Sequence, residues 1–344
     1  MDVQNRDVRR LAEVPGALAE LLDVPVREVA GAALVFSAAG RTFVVEWSGS
    51  STVGLVAARA ETAARRAKGM SRRAIPLVAV PFMTEAGRRA CEAAQVQWFD
   101  LSGNARIVAP GIRVIVDGRP DRFRGPGRPA SVFAPKSARV ARWLLMHPGK
   151  AFTQRVIARS TGMTEGFVSR IAGRLERDNY VVRESTGALR AKNPKLLLDA
   201  WREAYQFSKH TLIQGHVAAR SGDALARFVN DTLGAEQVEH AATGLAAAWQ
   251  MTHFAAFRVA TFFVASEPSA EVKDRLGFRE GVSGANLWLV VPKDAGVFHG
   301  AQEREGVRCV SPVQAYLDLK EHPERAEEAA ERVLGEFMKW GRDG

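Results

Sequence analysis

Only two cysteines, Cys91 and Cys309, occur in 344 residues. They stand far apart and outside any Cys-x-x-Cys pair, so neither a zinc framework nor a disulfide scaffold is suggested, and a reducing compartment fits. Missing too is any apolar run long enough to cross a bilayer, and the opening MDVQNRDVRRLAEV lacks the basic-then-apolar order of a signal peptide. The expectation is a cytoplasmic, nucleoid-associated protein with no membrane contact. His210, His216, His240 and His253 are too scattered for a ligand set, so no metal and no other cofactor is expected.

What is present is ordinary globular composition, 47% hydrophobic and 25% charged, with room for two or three domains. The net charge of +10 is unevenly spread. Residues 1–130 carry 19 Lys+Arg against 13 Asp+Glu, residues 131–206 carry 14 against 6, and residues 207–344 carry 15 against 19. Positive charge is densest in the middle, as a phosphate-binding surface requires, and the acidic last third is unsuited to lying on DNA.

That middle segment has the pattern of a winged helix-turn-helix. Val156, Ile157 and Ala158 give one short helix an inner face, and Val168, Ile171, Ala172 and Leu175 give another. Thr161-Gly162-Met163-Thr164 supplies the turn, with Gly162 free to take a positive φ and Thr164 placed as N-cap; Thr153 is placed to cap the first helix. A further helix, Ala138 to His147, precedes them with Ser137 as its cap. After Asn179 the period changes to strand, Tyr180 to Arg183, a Gly187-centred turn and Leu189 to Ala191, which makes a wing.

The outer side of the second helix carries Thr164, Glu165, Ser169, Arg170 and Arg174 for base edges in the major groove. Arg183, Arg190 and Lys192 on the wing suit phosphates, which supply affinity and register rather than sequence preference. Lys136, Arg139, Thr153 and Gln154 at the helix starts complete the expected DNA contacts. Arg122, Arg124 and Arg128, in the Pro- and Gly-rich stretch GRPDRFRGPGRPASVFAPK, are an additional candidate contact or a plain basic linker.

Residues 1–118 read as α/β. A helix from Asp7 to Leu22 is interrupted by Pro15; strands Ala30 to Phe36 and Arg41 to Trp47 follow, then helix Val53 to Lys68, strand Ile75 to Val80, helix Thr84 to Ala94, and strands Val96 to Asp100, Asn104 to Ala109 and Ile112 to Val116. This order, with VVEWSGS at Val44 to Ser50, resembles the restriction-endonuclease-like (PD-(D/E)XK) core. The resemblance implies an Asp, a second carboxylate and a Lys around a divalent metal. Glu46 is kept, Ser48 stands where the Lys belongs, and the preceding strand has no acid, so the domain is expected to be a nuclease-like scaffold without its chemistry. FDLSGNARI, Phe99 to Ile107, is either a structural corner or else a polar pocket or DNA-facing loop.

Beyond the wing, a connector helix from Leu196 to Phe207 leads to an α/β region. It comprises helix Asp223 to Thr232, strand Gln237 to Ala242, helix Gly244 to His253, strands Thr261 to Ala265, Leu287 to Val291 and Val307 to Val310, and a helix capped by Ser311. An acidic helix from Pro323 to Lys339 ends it. The region resembles a reduced nucleotidyltransferase fold, but Thr243-Gly244 replaces the Gly-Ser turn and Thr261 to Val264 lacks the paired Asp. Residues 137–340 also resemble the AbiEi-like transcriptional regulators, the antitoxin family of type IV toxin-antitoxin systems. The likeness rests on Thr243-Gly244, on Ser311-Pro312-Val313-Gln314 with Tyr316-Leu317-Asp318-Leu319, and on Arg325, Glu328 and Ala329.

The expected architecture is thus α/β and α+β multidomain: a restriction-endonuclease-like domain over 1–118, a linker over 119–136, a winged helix-turn-helix with its connector over 137–209, and a C-terminal α/β domain over 210–344. The expected function is that of a sequence-specific, non-catalytic transcriptional regulator, a repressor bound to double-stranded DNA. A homodimer is the commonest arrangement, and the resemblance implies a toxin or other protein as a partner for the C-terminal domain. The alternatives are a metal-dependent nuclease using Glu46 and Asp100, and a replication or maintenance factor.

Overall fold

Residues of both parities are buried along Phe43 to Trp47 and Leu77 to Val80, a pattern that requires cover on both faces of a sheet. A computed structural model, which describes residues 3–71, 73–123, 131–281 and 283–341, supplies that cover. Contacts divide the chain into two compact units, residues 1–129 with 177–180 and residues 130–176 with 181–344.

The first unit runs α1 (Val3–Leu22), β1 (Arg27–Glu28), β2 (Val35–Ala38), β3 (Arg41–Trp47), α2 (Val53–Met70), β4 (Ile75–Val80), α3 (Glu85–Ala93), β5 (Gln97–Asp100), β6 (Ala105–Ala109) and β7 (Ile112–Val116). The strands form one sheet in chain order, parallel from β3 to β5 and antiparallel outside. Val14 and Leu18 of α1 pack with Phe43, Val45, Leu77 and Phe99 on one face. Val56, Ala60 and Ala63 of α2 and Cys91 of α3 pack with Val78, Val80 and Trp98 on the other.

Two expectations change here. Pro15 lies inside an unbroken α1: Val14 and Leu18 are fully buried on either side of it, and packing outweighs the hydrogen bond a proline removes. The strand expected from Ala30 begins only at Val35, because Val29 to Leu34 form a tight turn closed by hydrogen bonds from Val29 N to Val35 O and from Ala32 N to Val29 O.

The second unit holds α4 (Ala138–Met146), α5 (Gln154–Thr161), α6 (Glu165–Arg177), β8 (Val181–Arg183), β9 (Leu189–Ala191) and α7 (Pro194–Ala204). Next come β10 (Thr211–His216), α8 (Gly222–Ala235), β11 (His240–Thr243), α9 (Gly244–Thr252), β12 (Ala260–Val264), α10 (Ala270–Arg275), β13 (Arg279–Glu280), β14 (Leu287–Val291), β15 (Gln302–Arg304), β16 (Val307–Cys309), α11 (Pro312–Asp318) and α12 (Ala326–Phe337). The large sheet has the order β13-β10-β14-β12-β11-β16-β15 and is mixed, with β12/β14 and β11/β16 parallel. Helix α8 packs on β11, β12 and β16, while α9, α11 and α12 pack on one another.

Here too there are differences. Strand β10 and helix α10 were not expected. The connector helix stops at Ala204, not Phe207, because Tyr205 turns extended and Phe207 is buried. The last helix is the shorter Ala326–Phe337. Ser137 makes no capping bond; its backbone is already helical, and Ala138 N–H donates to Ala134 O instead. Among the described residues no helix is long and apolar enough to cross a membrane.

Candidate DNA-binding interface

Local chemistry sets the helix-turn-helix. Thr153 Oγ1 accepts from Val156 N–H at 3.3 Å and caps α5. Gly162 then takes φ +64°, where a Cβ would be strained, and the N–H groups of Gly162 and Met163 both reach Ala158 O. Thr164 opens α6, its carbonyl accepting from Val168 N–H and its Oγ1 from Phe167 N–H at 3.4 Å. Ile157, Ala158, Val168, Ile171, Ala172 and Leu175 are buried, as are Val140, Ala141, Leu144 and Leu145 of α4. Val156 is not: at 42% exposure it lies on the outer side, since three consecutive residues cannot share one helix face. In the wing, Gly187 turns at φ +79° and Phe152 bridges Leu189, adding a third short segment to β8 and β9.

The outer face of α6 presents Thr164, Glu165, Ser169 and Arg170 as exposed residues and Arg174 as half-buried. Lys136 and Arg170 both sit over the Phe167 ring, at 5.9 Å and 5.5 Å, so one aromatic gathers two cations at the N-terminal half of the helix. On α5, Arg155 and Arg159 are also exposed, Arg155 pairing with Glu165 at 3.2 Å. Neither these two arginines nor Phe167 was singled out from sequence, although Arg155 and Arg159 stand four apart on the outer side of α5, the spacing that would have found them. Gln154 is half-buried at the helix start.

On the wing, Arg183 grips Glu176 through Nε and Nη2 (3.0 and 2.6 Å) and donates from Nη1 to Gly187 O. Arg190 donates to Glu184 at 3.0 Å. Such part-exposed pairs are worth about 0–1 kcal/mol, so a phosphate can compete for either arginine. Lys192 follows, exposed. Arg122 is exposed in the first unit, its guanidinium 5.9 Å from the Phe123 ring; Arg124 and Arg128 lie outside the described residues.

Arg139 departs from expectation. Rather than facing outward, its Nε and Nη2 hold both oxygens of Asp294 at 2.7 and 2.9 Å, and its Nη1 donates to Thr161 O at 2.8 Å. Burial would push the Asp294 carboxyl up, but Arg139 and the Gly296 N–H hold it below the usual carboxylate range. This arginine joins the winged helix to the C-terminal sheet.

Next to it lies a buried polar network. Asp318 accepts from Thr243 Oγ1, Tyr205 OH and Gln314 Nε2, and Gln314 Oε1 in turn accepts from Arg142 Nη2. Burial pushes the Asp318 carboxyl up to about 7, against these hydrogen bonds, and pulls the Arg142 guanidinium down to about 10. The Thr243-Gly244 and Ser311 to Leu319 stretches, far apart in sequence, thus meet at one carboxylate. Gly244 turns at φ +56° into α9, where a Cβ would fall 2.5 Å from His322 Nε2.

In the first unit, Glu46 is 6% exposed and is held by Arg66 at 2.5 Å and Arg59 at 3.4 Å, while Ser48 Oγ donates to Ser50 O. Asp100 accepts from Met83 N–H, Asn104 N–H and Asn104 Nδ2 at 2.8–3.0 Å; burial raises its pKa against these bonds. Glu46 pairs with Val78 and Asp100 with Val80 of the intervening β4, so the two carboxylates are out of register with a strand between them. FDLSGNARI is a structural corner, in which Asn104 also bonds the backbone of Arg119 at both ends of its amide.

Comparison with known proteins agrees with this geometry. Residues 134–190 match the model of the MarR family, and residues 190–339 match that of the transcriptional regulator, AbiEi antitoxin, type IV TA system. Comparison with curated proteins and with solved structures returned no match. A capped helix-turn-helix with its wing, followed by an AbiEi-type domain built around Asp318, makes this chain an AbiEi-like winged-helix transcriptional regulator that binds DNA.

Proposed function

We propose that the protein is a sequence-specific repressor that places α6 in the major groove and lays the wing on the flanking phosphates, as a two-fold dimer on a palindromic site in the cytoplasm. The observation that carries this is the outer face of α6, where Ser169 and Arg170 stand exposed on a helix fixed from behind by Val168, Ile171 and Leu175. Arg170 is the base-reading residue, and Arg183, Arg190 and Lys192 supply affinity.

The N-terminal unit is proposed to be a nuclease-like scaffold without catalysis, supported by the commitment of Glu46 to Arg66 and of Asp100 to backbone N–H groups. The C-terminal domain, proposed to be nucleotidyltransferase-like in fold, is assigned to partner contact, with a cognate toxin as the partner class; recovery of a neighbouring gene's product with the purified protein tests that assignment. The repressor reading is tested by genome-wide recovery of DNA bound to the purified protein in Mg²⁺. A few uncut sites near its own promoter are expected. Cut ends or binding without preference overturn it.

A further inference from the structure

Of the strands that end the two large sheets, β1 and β13 are two residues long and read Arg-Glu, and β15 reads Gln-Glu-Arg. Short, charged strands of this kind are how sheet edges are usually protected. The remaining edge, β7, is five residues long and reads Ile-Arg-Val-Ile-Val, and among the described residues only β6 pairs with it. Ile115 on it is 53% exposed. A long apolar strand with one open edge is a template for another strand.

One side-chain bond fixes which way the β7 backbone faces. Val108 N–H donates to Gln97 Oε1 at 2.8 Å, on the β5 side, so Val108 turns its hydrogen-bonding groups away from β7. Its partner across the ladder, Arg113, therefore turns N–H and C=O to the open edge. Alternation carries the same direction to Ile115 and, one step past the strand, to Asp117, and it puts these three side chains on the face opposite Val114 and Val116.

Around Ile115 the sequence reads Arg-Val-Ile-Val-Asp, symmetrical in size and opposite in charge about its centre. Laid antiparallel on a second copy with Ile115 on the two-fold axis, Arg113 of each chain meets Asp117 of the other, and Val114 meets Val116. Arg113 and Asp117 are both exposed. Asp117 already pairs with Arg88 at 2.7 Å through Oδ1. An exposed pair gains little over solvation, and Oδ2 remains for the second chain.

We propose that β7 is the interface of a homodimer, in which two N-terminal sheets join edge to edge by antiparallel pairing centred on Ile115. A contact this small is weak by itself. Two half-sites on one DNA reinforce it through effective concentration; that use rests on the two-fold repressor reading above, whereas the pairing itself does not.

The test is sedimentation velocity of the full chain without DNA over a dilution series, where a reversible monomer–dimer equilibrium is expected. Arg113→Asp and Asp117→Arg, both at exposed positions, each set like charges opposite one another on both sides of the axis. Either should weaken dimerisation at least about tenfold. Mixed in equal amounts the two variants are complementary, and a heterodimer about as tight as the wild-type dimer is expected. That rescue cannot come from the pair with Arg88, which Asp117→Arg removes. Variants that stay monomeric when mixed, or a dimer indifferent to either reversal, overturn the pairing. So does a wild type that is monomeric at every dilution, which leaves the edge to a strand of another protein. A β7 dimer that selects no DNA overturns the repressor reading and leaves the interface standing. Selected sites bound by a protein that is monomeric in this assay overturn the interface alone.

Discussion

The two sides of the winged helix use arginine in opposite ways. Toward the C-terminal sheet, Arg139 grips Asp294, Arg142 reaches Gln314, and Arg202 lies 4.5 Å over the Tyr316 ring while holding Glu327. On the outer side, Arg155, Arg159 and Arg170 are exposed. A basic segment is therefore not the same thing as a basic surface. Part of the positive charge in residues 131–206 is spent on fastening this segment to the acidic region that follows, and only the outward-facing remainder is available to phosphates.

Removing an inner arginine should have the largest effect. Arg139→Ala strands the part-buried Asp294 carboxylate and frees Thr161 O, and should cost about 3 kcal/mol of stability, read as a lower urea midpoint. Adding Asp294→Ala should restore part of the loss, because the stranded charge is then gone. If Arg139→Ala costs less than about 1 kcal/mol, the division between inner and outer arginines fails.

Arg170→Ala should do the reverse. Stability should change by no more than about 0.5 kcal/mol, while preference for a selected site over random duplex should fall by about 1–3 kcal/mol. Competition binding between the two DNAs measures it, and an equal loss on both would move Arg170 from base reading to phosphate contact.

The outer side was far more legible in sequence than the inner. Thr153, Gly162 and Gly187 act on residues a few positions away, and the apolar period of α6 needs no partner to be seen. Strands Ile75–Val80, Ile112–Val116 and Leu287–Val291 fall where their apolar runs place them. The inner side depends on distant partners. Asp294 is 155 residues beyond Arg139, and nothing near Arg139 separates it from a DNA-facing arginine. Strand β10 is equally non-local: Gln214-Gly215-His216 has little strand character alone and is held by pairing with β14 and β13. Pro15 shows the same from the other side, since its local signal is strong and packing overrides it.

The inner side also holds a carboxylate that no arginine neutralises directly. With Asp318 pushed up to about 7, the folded state retains a proton that the unfolded chain releases. This group's contribution to stability therefore falls as pH rises from about 4 to about 7. Asp318→Asn removes the slope, so the variant should gain on the wild type across that window in paired urea unfolding curves. The paired difference also cancels the opposing trend from His210, which burial and nearby Lys293 pull down to about 4. A flat difference would mean that Asp318 keeps its charge and is neutralised by Arg142 after all.

The smallest effect is expected at the wing, where inner and outer behaviour meet in one residue. Arg190 is paired with Glu184 yet 35% exposed. Arg190→Ala should change stability by about 0–1 kcal/mol, because such a pair gains little over solvation. Its effect on DNA should be uniform across sequences, with the slope of log affinity against log salt falling by about one. Titrations of selected and random duplexes over a range of salt measure both quantities. An unchanged slope would place Arg190 with Arg139 among the arginines that serve the fold; loss confined to the selected duplex would place it with Arg170.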